Sequence, residues 1–573
     1  MHKEVLVLFK THLDMGFTDY AENIVKQYLE VNIPKAIEVG EELKGTATPF
    51  VWTLGSWMVW EALKHDKDGI VDKAIRDGII TWHALPFTTH TELMNCELFE
   101  YALGISRKLD ERYGKKTIAA KMTDVPGHTM GMVPLMKKNG IEFMHIGVNP
   151  ATPLPDVPQV FKWECDGESI VVMYQKDYGL HEEFDDFVIY FAHTGDNLGP
   201  QSAEEVVAIY DKIQNEYPGY TIKAATLGDV AERVLKFKDI PVVNKEIGDT
   251  WIHGAGTDPE KVSRFRKVLR HIKENGIGDR DLTNSLLIVP EHTWGKDIKK
   301  FFHNEKDYTV CEMEKLKDTE SFKDVEKSWN EQREYIRKAE SLLGVTPDYP
   351  IQKPDLSGYE KCDIEDVGIE ISWQLFDNKD YDIYSKTYMR LSVYWSIWDF
   401  TKVGLPEYDG FIITANITEM FKGNGETICK MEFSKELAIE YGLPYFYLRI
   451  KDNNVEIMWF GKKASRLPQA FWLKFKGLVE NWEVNKMGKW IRPENIIDSN
   501  LICAVDEGIR NEKYKIKPLD SCLVAPYGRN LLRYKTESEE QDMYFNLYNN
   551  IWNTNFPMWY SDDALFRFEI DKI

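Results

Sequence analysis

At 573 residues the chain exceeds one ordinary domain, so its length alone predicts about two to four domains. It carries 93 Asp and Glu against 71 Lys and Arg, a formal net charge of −22. Such a surface repels nucleic-acid phosphates and anionic membranes, so we expect neither as a partner. Whether the chain forms a homo-oligomer is left open.

The start of the chain and its cysteines indicate the compartment. The first apolar run, residues 5–9, is too short for a signal sequence and leads into Lys10. No apolar stretch reaches the roughly 18 residues that a membrane span needs. The seven cysteines are dispersed and form no Cys-x-x-Cys pair, which argues against a disulfide framework or a thiolate metal cluster. We therefore expect a cytoplasmic protein.

Apolar runs and amphipathic segments alternate along residues 1–275. The predicted strands are residues 5–9, 50–54, 79–84, 119–122, 143–146, 170–173, 188–192 and 222–225, and the predicted helices include 21–43, 96–113 and 202–217. This alternation is typical of a parallel sheet wound with helices, either a barrel or an open sheet. In such folds the chemistry collects at the carboxyl ends of the strands.

The rest of the chain predicts two further parts. Residues 276–348 form a helical segment, with a charged helix over 315–343, and prolines 347, 350 and 354 mark a linker. Residues 349–573 are aromatic-rich and alternating, with turn signals at 377–378, 423–425 and 451–454. This pattern predicts an all-β, sandwich-like domain.

The first predicted strand leads directly into a candidate metal site. His12 and Asp14 are two residues apart, so in extended backbone their side chains point to the same face. An imidazole nitrogen and a carboxylate oxygen suit zinc and related divalent ions. Gly16 and Phe17 follow at once, and Phe17 is a candidate substrate contact.

Three further segments could carry chemistry. Asp124 follows a strand and precedes a helix, where it could act as a catalytic carboxylate or only cap the helix. Asp196 lies in a loop with glycines 195 and 199, which either present it to a cleft or form a simple Asx turn. His253, between Ile252 and Gly254, is a metal-ligand candidate or a structural histidine.

Other polar and aromatic residues could line a pocket or pack in a core. The candidate substrate contacts, besides Phe17, are Trp57, His128, His292 and Trp294. Aromatic rings can stack on the C–H faces of sugars, but 13% aromatic residues also suit a sandwich core.

In this order, the motifs resemble those of the zinc-dependent α-mannosidases of glycoside hydrolase family 38, and the chain resembles a divergent bacterial-type member. Residues 12–17 match the family's H-x-D-x-G-W/F, and residues 124–129 match D-x-F/P-G-H-S/T. Residues 195–200 are similar to its G-D-G-G-G-G-P-T loop, residues 226–230 to T-L-x-x-Y, and residues 252–257 to H-H-D-A-x-x-G-T. Residues 549–557 show a weaker resemblance to the family.

The resemblance implies a fold and a chemistry. The fold would be a seven-stranded β/α barrel followed by a helical bundle and β-sandwich domains. His12, Asp14, Asp124 and His253 would bind zinc, although another divalent transition metal suits the same ligands. Asp124 would also be the nucleophile and Asp196 the general acid/base of a retaining exo-glycoside hydrolase, α-mannosidase-like and acting on small oligosaccharides.

Departures from the family pattern concentrate at positions that the resemblance assigns to sugar binding. The aspartate that follows the family's metal histidine is Gly254 here, and residues 147–149 replace an expected arginine. Two alternatives therefore stay open. One is a metal-dependent carbohydrate deacetylase or eliminase on the same scaffold, and the other is a non-catalytic carbohydrate-binding protein.

Overall fold

The computed structural model describes residues 3–478, 481–497, 502–534 and 542–573. The chain forms two compact units, each assembled from several segments. Unit 1 comprises Met1–His90, Leu98–Pro126 and Met130–Lys245, and unit 2 comprises Thr91–Glu97, Gly127–Thr129 and Glu246–Ile573. The predicted domain boundaries after residues 275 and 348 stay a prediction.

Every predicted strand of the first part of the chain has a counterpart in unit 1. The strands are β1 (Glu4–His12), β2 (Trp52–Gly55), β3 (Ile80–His83), β4 (Ala119–Asp124), β5 (Phe143–Val148), β6 (Val160–Cys165), β7 (Glu168–Gln175), β8 (Glu182–Glu183), β9 (Phe187–Asp196), β10 (Thr221–Ala224) and β11 (Val242–Val243). Continuous apolar runs such as β1 and β5 are buried along nearly their whole length, as expected of parallel strands covered on both faces.

The strand pairing differs from the predicted ring. One sheet has the order β3-β2-β1-β9-β8 with β10 also on β1, and the other has the order β11-β6-β7-β5-β4. Within the described residues the parallel strands are thus divided between two sheets, and a single seven-stranded barrel is not confirmed. The antiparallel hairpin β6–β7 went unpredicted because β6 alternates buried and exposed side chains and offers no apolar run.

Helices connect these strands, and polar side chains cap several of them. They are α1 (Ala21–Gln27), α2 (Ile33–Glu42), α3 (Ser56–His65), α4 (Ile70–Arg76), α5 (Cys96–Tyr113), α6 (Met132–Lys138), α7 (Ala203–Glu216) and α8 (Leu227–Val234). A π-helical turn, Tyr28–Asn32, joins α1 to α2. Ser202 with Glu205, and Thr226 with Asp229, form capping boxes that bind the free N–H groups of α7 and α8.

The interior of unit 1 changes from apolar to polar along its strands. Leu6 and Leu8 of β1 and Ile189 of β9 lie in one hydrophobic cluster with Phe143 of β5. Further along β1, the inward positions are taken by buried Lys10 and His12. The polar side chains therefore gather at the carboxyl ends of the strands.

The α-helices that lie wholly in unit 2 follow residue 245. The helices are α9 (Pro259–Asn275), α10 (Ile298–Phe301), α11 (Val310–Leu316), α12 (Glu320–Leu343), α13 (Asn378–Tyr388), α14 (Tyr394–Phe400) and α15 (Lys435–Tyr441). The predicted charged helix corresponds to α12 and the end of α11. In the described part of the chain, none of the helices has the length and apolar character needed to cross a membrane.

Unit 2 also contains the region predicted to be all-β, which is mostly strand but includes the three helices α13, α14 and α15. Its strands are β12 (Glu246–Ile247), β13 (Glu360–Cys362), β14 (Ile369–Leu375), β15 (Phe411–Thr414), β16 (Asn416–Gly423), β17 (Glu426–Glu432), β18 (Tyr445–Lys451), β19 (Asn454–Phe460), β20 (Gln469–Phe475), β21 (Glu483–Lys486), β22 (Lys489–Ile491), β23 (Ile496–Ile497), β24 (Cys503–Ala504), β25 (Ile509–Arg510), β26 (Tyr514–Pro518), β27 (Leu523–Ala525), β28 (Tyr544–Asn549) and β29 (Ala564–Lys572). Most of them form a ten-stranded and a six-stranded sheet.

The predicted turn signals of this region have two outcomes. Residues 423–425 and 451–454 close the antiparallel hairpins β16–β17 and β18–β19. Residues 377–378 instead begin α13, because the Asp377 carboxylate accepts hydrogen bonds from the first free N–H groups of that helix.

Candidate metal centre and active site

Three side chains of unit 1 meet where strands β1 and β4 end. His12 is the last residue of β1, Asp14 follows it by two positions, and Asp124 is the last residue of β4. Their exposed fractions are 1%, 2% and 8%. His12 Nε2 lies 3.0 Å from Asp14 Oδ1 and 3.7 Å from Asp124 Oδ2, and ligand atoms of all three residues lie within 4.8 Å of one another. The structure therefore brings together three of the four predicted metal ligands.

The orientation of His12 is set by its second ring nitrogen. His12 Nδ1 lies 2.7 Å from Thr123 Oγ1, so Nε2 faces the two carboxylates. Burial by itself lowers the pKa of His12, but the charges and hydrogen bonds of Asp14 and Asp124 outweigh it and raise that pKa to about 10. Two buried carboxylates around one nitrogen thus favour a positive charge at this point.

The donor set fits a divalent transition metal. Catalytic zinc sites commonly use three protein ligands of the imidazole and carboxylate type and keep one position open. A partner on the far nitrogen of a metal-binding histidine, here Thr123, is also typical of such sites. Buried carboxylates without a cation nearby would carry a large desolvation cost, and a bound cation removes that cost.

Asp124 has an unusual backbone and two further side-chain partners. Its φ is +71°, in the left-handed region that residues other than glycine rarely adopt, and such strain clusters at functional sites. Asn149 Nδ2 donates to Asp124 Oδ1 at 3.1 Å, and the Tyr178 side chain is also hydrogen-bonded to Asp124. Asn149 is one of the residues that stand where the family's arginine is expected.

Asp196 lies at the same end of the sheet. It is the last residue of β9, and its Cα pairs with that of His12 across the β1–β9 ladder. Asp196 is partly exposed, whereas His12 is buried. A carboxyl group with access to solvent at this edge can exchange a proton during a reaction, as a general acid/base must.

A second polar layer lies one step toward the amino ends of the strands. Lys10 Nζ lies 3.1 Å from His193 Nδ1, and Lys121 Nζ lies 2.5 Å from His145 Nδ1. Burial lowers the pKa of Lys10 to about 7, although the charge of Asp196 opposes this shift. The alternation of inward positions on β1 is the sequence signal that could have revealed this layer, because Lys10 precedes His12 by two residues.

The fourth predicted ligand, His253, belongs to unit 2. It lies buried in the 3-10 helix Ile252–Thr257, and its ring packs edge-on against Trp552 with centroids 4.1 Å apart. Asn549 Nδ2 donates to the His253 backbone oxygen at 2.8 Å. Two residues of the C-terminal segment 549–557 therefore hold this histidine, and its role as a metal ligand stays a prediction.

The glycine after His253 has a packing reason in the same segment. A Cβ atom on Gly254 would lie 2.5 Å from Cε2 of the Phe556 ring. The space that the family's aspartate would need is thus filled by an aromatic ring. The packing of Phe556 therefore explains why position 254 carries no side chain.

We expect the substitution Gly254→Asp to lower the free energy of unfolding by about 1–3 kcal/mol, because it overpacks the contact with Phe556. Chemical unfolding followed by fluorescence measures the change. The cost should shrink in a Phe556→Ala background, which opens the space. Gly104→Asp in α5 is the control, since the nearest atom to its Cβ is the end of Arg107 at 3.5 Å. Equal costs at positions 104 and 254 would contradict the steric explanation.

His292 and Trp294 form a buried cluster with Glu291 in unit 2. His292 Nδ1 lies 2.7 Å from Glu291 Oε1, while Glu291 Oε2 accepts from the Thr293 N–H and hydroxyl groups at 2.9 and 2.6 Å. The backbone N–H of Trp294 donates to Asn555 Oδ1 at 2.7 Å, and Lys261 Nζ lies 3.6 Å from the centre of the Trp294 ring. Glu291 and His292 are both buried, so the carboxylate lies beside the imidazole in a cluster shielded from solvent.

The other predicted substrate contacts have different surroundings. Phe17 is partly exposed and has a φ of +58°. Trp57 is buried and packs edge-on against Phe87 at a centroid distance of 5.6 Å. His128 is buried in unit 2, with Nδ1 3.3 Å from Thr91 Oγ1. Their roles in substrate binding stay predictions.

Comparison with known proteins supplies a fold. Residues 255–353 match the family model described as "Domain of unknown function (DUF5054)", and no curated protein sequence matches the chain. An α-mannosidase structure from Enterococcus faecalis V583 is similar with a TM-score of 0.58 and 9% identity, covering 100% of this chain and 87% of that one. A glycosyl hydrolase family 38 protein from Enterococcus faecalis has a TM-score of 0.56 and 8% identity, covering 100% and 86%.

At these identities the likeness concerns the fold. The chain has the fold of these family 38 proteins along its whole length, and the predicted resemblance is confirmed at that level. Two of the motifs that carry the resemblance, residues 12–17 and 124–129, begin at the ends of β1 and β4, where His12, Asp14 and Asp124 converge. What this chain binds and does is a separate question.

Proposed function

We propose that this chain is a cytoplasmic, metal-dependent retaining exo-glycoside hydrolase, α-mannosidase-like, that acts on small oligosaccharides. The observation that carries the proposal is the convergence of buried His12, Asp14 and Asp124 at the carboxyl ends of β1 and β4, with strained backbone at Asp124. The fold likeness to family 38 supports it.

The two aspartates have complementary roles in the proposed reaction. A retaining glycosidase needs one carboxylate that attacks the anomeric carbon and a second carboxyl group that protonates the leaving oxygen. Asp124 suits the first role, since Asn149 and Tyr178 hold its carboxylate in place. Asp196 suits the second role because it is partly exposed. In the second step of the reaction the same group would remove a proton from the attacking water.

His12, Asp14 and Asp124 would hold the metal, with zinc as the proposed ion. A bound divalent metal supplies Lewis acidity that can orient the hydroxyl groups of the sugar ring. The neighbouring positive charge also keeps Asp124 ionised and therefore ready to attack.

The family resemblance implies His253 as a further ligand, and that assignment is part of the proposal. His253→Ala should then lower the affinity for the metal.

We expect the purified protein to contain about one zinc ion per chain and to cleave at least one aryl glycoside, with turnover abolished by a chelator and restored by added zinc. Metal analysis and a screen of aryl glycosides, with and without chelator, measure this. Asp229→Asn, which alters a helix cap of unit 1 and its ion pair with Lys223, is the matched control and should keep both properties.

Three results would contradict the proposal in different ways. An active protein without metal would remove the metal centre and its role. Bound metal with chelator-sensitive release of acetate from acetylated sugars, but no glycoside cleavage, would favour the deacetylase alternative. Sugar binding without turnover of any kind would favour a carbohydrate-binding protein.

A further inference from the structure

Asn197 follows the candidate acid/base Asp196 and has a backbone conformation that few residues tolerate. Its φ is +54°, and its side chain is 3% exposed. Glycine and asparagine adopt this left-handed conformation most readily. The loop that residues 195–200 resemble has glycine here, so asparagine meets the same backbone requirement and adds a side chain.

That side chain binds both backbone groups of a metal-ligand residue. Asn197 Oδ1 accepts from the Asp14 N–H at 3.0 Å, and Asn197 Nδ2 donates to the Asp14 carbonyl at 3.0 Å. Nδ2 also donates to Thr18 Oγ1 at 2.9 Å. The Asn197 backbone N–H donates to the His12 carbonyl at 2.9 Å. Asn197 thus binds the backbone at both ends of the segment 12–14.

Asn197 is also bound by the end of α1 and the π-helical turn that follows it. Gln27 Nε2 donates to the Asn197 carbonyl at 3.0 Å. The hydroxyl of buried Tyr28 lies 3.4 Å from both Asn197 Oδ1 and the His12 carbonyl. Tyr28 begins the π-helical turn Tyr28–Asn32, and such turns are rare and occur frequently at functional sites.

We propose that Asn197 is a positioning residue that couples the metal-holding segment 12–14 to the acid/base carboxylate of Asp196. This inference rests on the proposed function for the role of Asp196. The Asn197 amide binds the Asp14 backbone, and Asp196 is the residue directly before Asn197 in the chain. A movement of the loop therefore displaces the metal ligand and the carboxyl group together. Buried hydrogen bonds of this kind hold a site within the narrow range that catalysis needs.

The test is Asn197→Gly, which keeps the left-handed backbone and removes only the amide. We expect its zinc affinity, measured by competition with a chromophoric chelator, to fall by about tenfold to 100-fold, as for other residues that orient metal ligands. At saturating zinc, kcat/KM should fall about tenfold more for aryl glycosides with poor leaving groups than for activated ones, because misplacing Asp196 impairs proton donation.

Asn424→Gly is the matched control, because Asn424 has a φ of +51° in the exposed β16–β17 turn. It should leave zinc affinity and leaving-group dependence unchanged. Thr18→Val, which removes one acceptor of the amide, should weaken zinc binding in the wild type and add nothing in the Asn197→Gly background.

The two readouts separate this inference from the proposed function. Unchanged zinc affinity in Asn197→Gly, or weakened zinc binding with unchanged leaving-group dependence, overturns the coupling. If the wild type binds zinc but cleaves no glycoside, the proposed function fails, and the coupling to an acid/base falls with it. A loss of zinc affinity in Asn197→Gly would then show only that Asn197 positions Asp14.

Discussion

Replacing Asp124 with asparagine should lower kcat/KM by roughly 10⁴-fold or more for every glycoside that the wild type cleaves, since loss of a nucleophile has effects of this order. The amide cannot attack the anomeric carbon, so even substrates with activated leaving groups should not be turned over. The same substitution removes one anionic metal ligand. Turnover measured at saturating zinc separates the loss of the nucleophile from the loss of the metal.

Folding must be intact for that result to count. Asp124 is hydrogen-bonded to Asn149, and an asparagine can keep an acceptor for this bond. The thermal unfolding midpoint of Asp124→Asn should therefore stay close to that of Asp229→Asn, which changes a carboxylate of a helix cap. Measurable turnover of an activated glycoside at more than about a hundredth of the wild-type rate would exclude Asp124 as the nucleophile.

Replacing Asp196 with asparagine should lower kcat by about 10²–10⁴-fold for glycosides with poor leaving groups, the usual range for loss of a general acid. Activated aryl leaving groups depart without protonation, so the first step, in which the glycosidic bond breaks, should be nearly unaffected for such glycosides. Because the general acid must be protonated in the first step, the basic limb of the wild-type pH profile of kcat/KM should also disappear. Steady-state rates across a series of aryl leaving groups measure both effects.

The comparison with Asp124→Asn is the internal control for the acid/base. Both variants replace a carboxylate by an amide at the carboxyl end of a strand, but only Asp196→Asn should discriminate between leaving groups. Equal losses for poor and activated leaving groups would remove the acid/base role. Retained activity with all substrates would favour a reaction that uses the metal without Asp196, such as deacetylation.

Much of the candidate site could be predicted because its residues obey local rules. His12 and Asp14 share a face through two-residue spacing, and Asp124 and Asp196 each end a strand in a parallel arrangement. These relations depend only on neighbouring residues and on the general placement of chemistry at strand ends. The sequence by itself therefore determined three metal-ligand candidates that the structure brings together.

Contacts between distant segments could not be predicted in this way. Asn149 binds Asp124, Asn197 binds Asp14, and Phe556 fills the space beside Gly254, yet no spacing rule joins these residues. The sheet pairing was also decided by the fold, because the division of the strands into two sheets depends on contacts between segments far apart in the chain.

The division has a physical reason. Side-chain direction within one strand or turn follows from backbone geometry, which the local sequence specifies. The partner that a buried polar group finds depends on how separate elements pack, since each must satisfy its hydrogen bonds with whatever lies beside it. The sequence determined which residues could hold a metal and move a proton, and only the tertiary structure decided which other residues hold them in place.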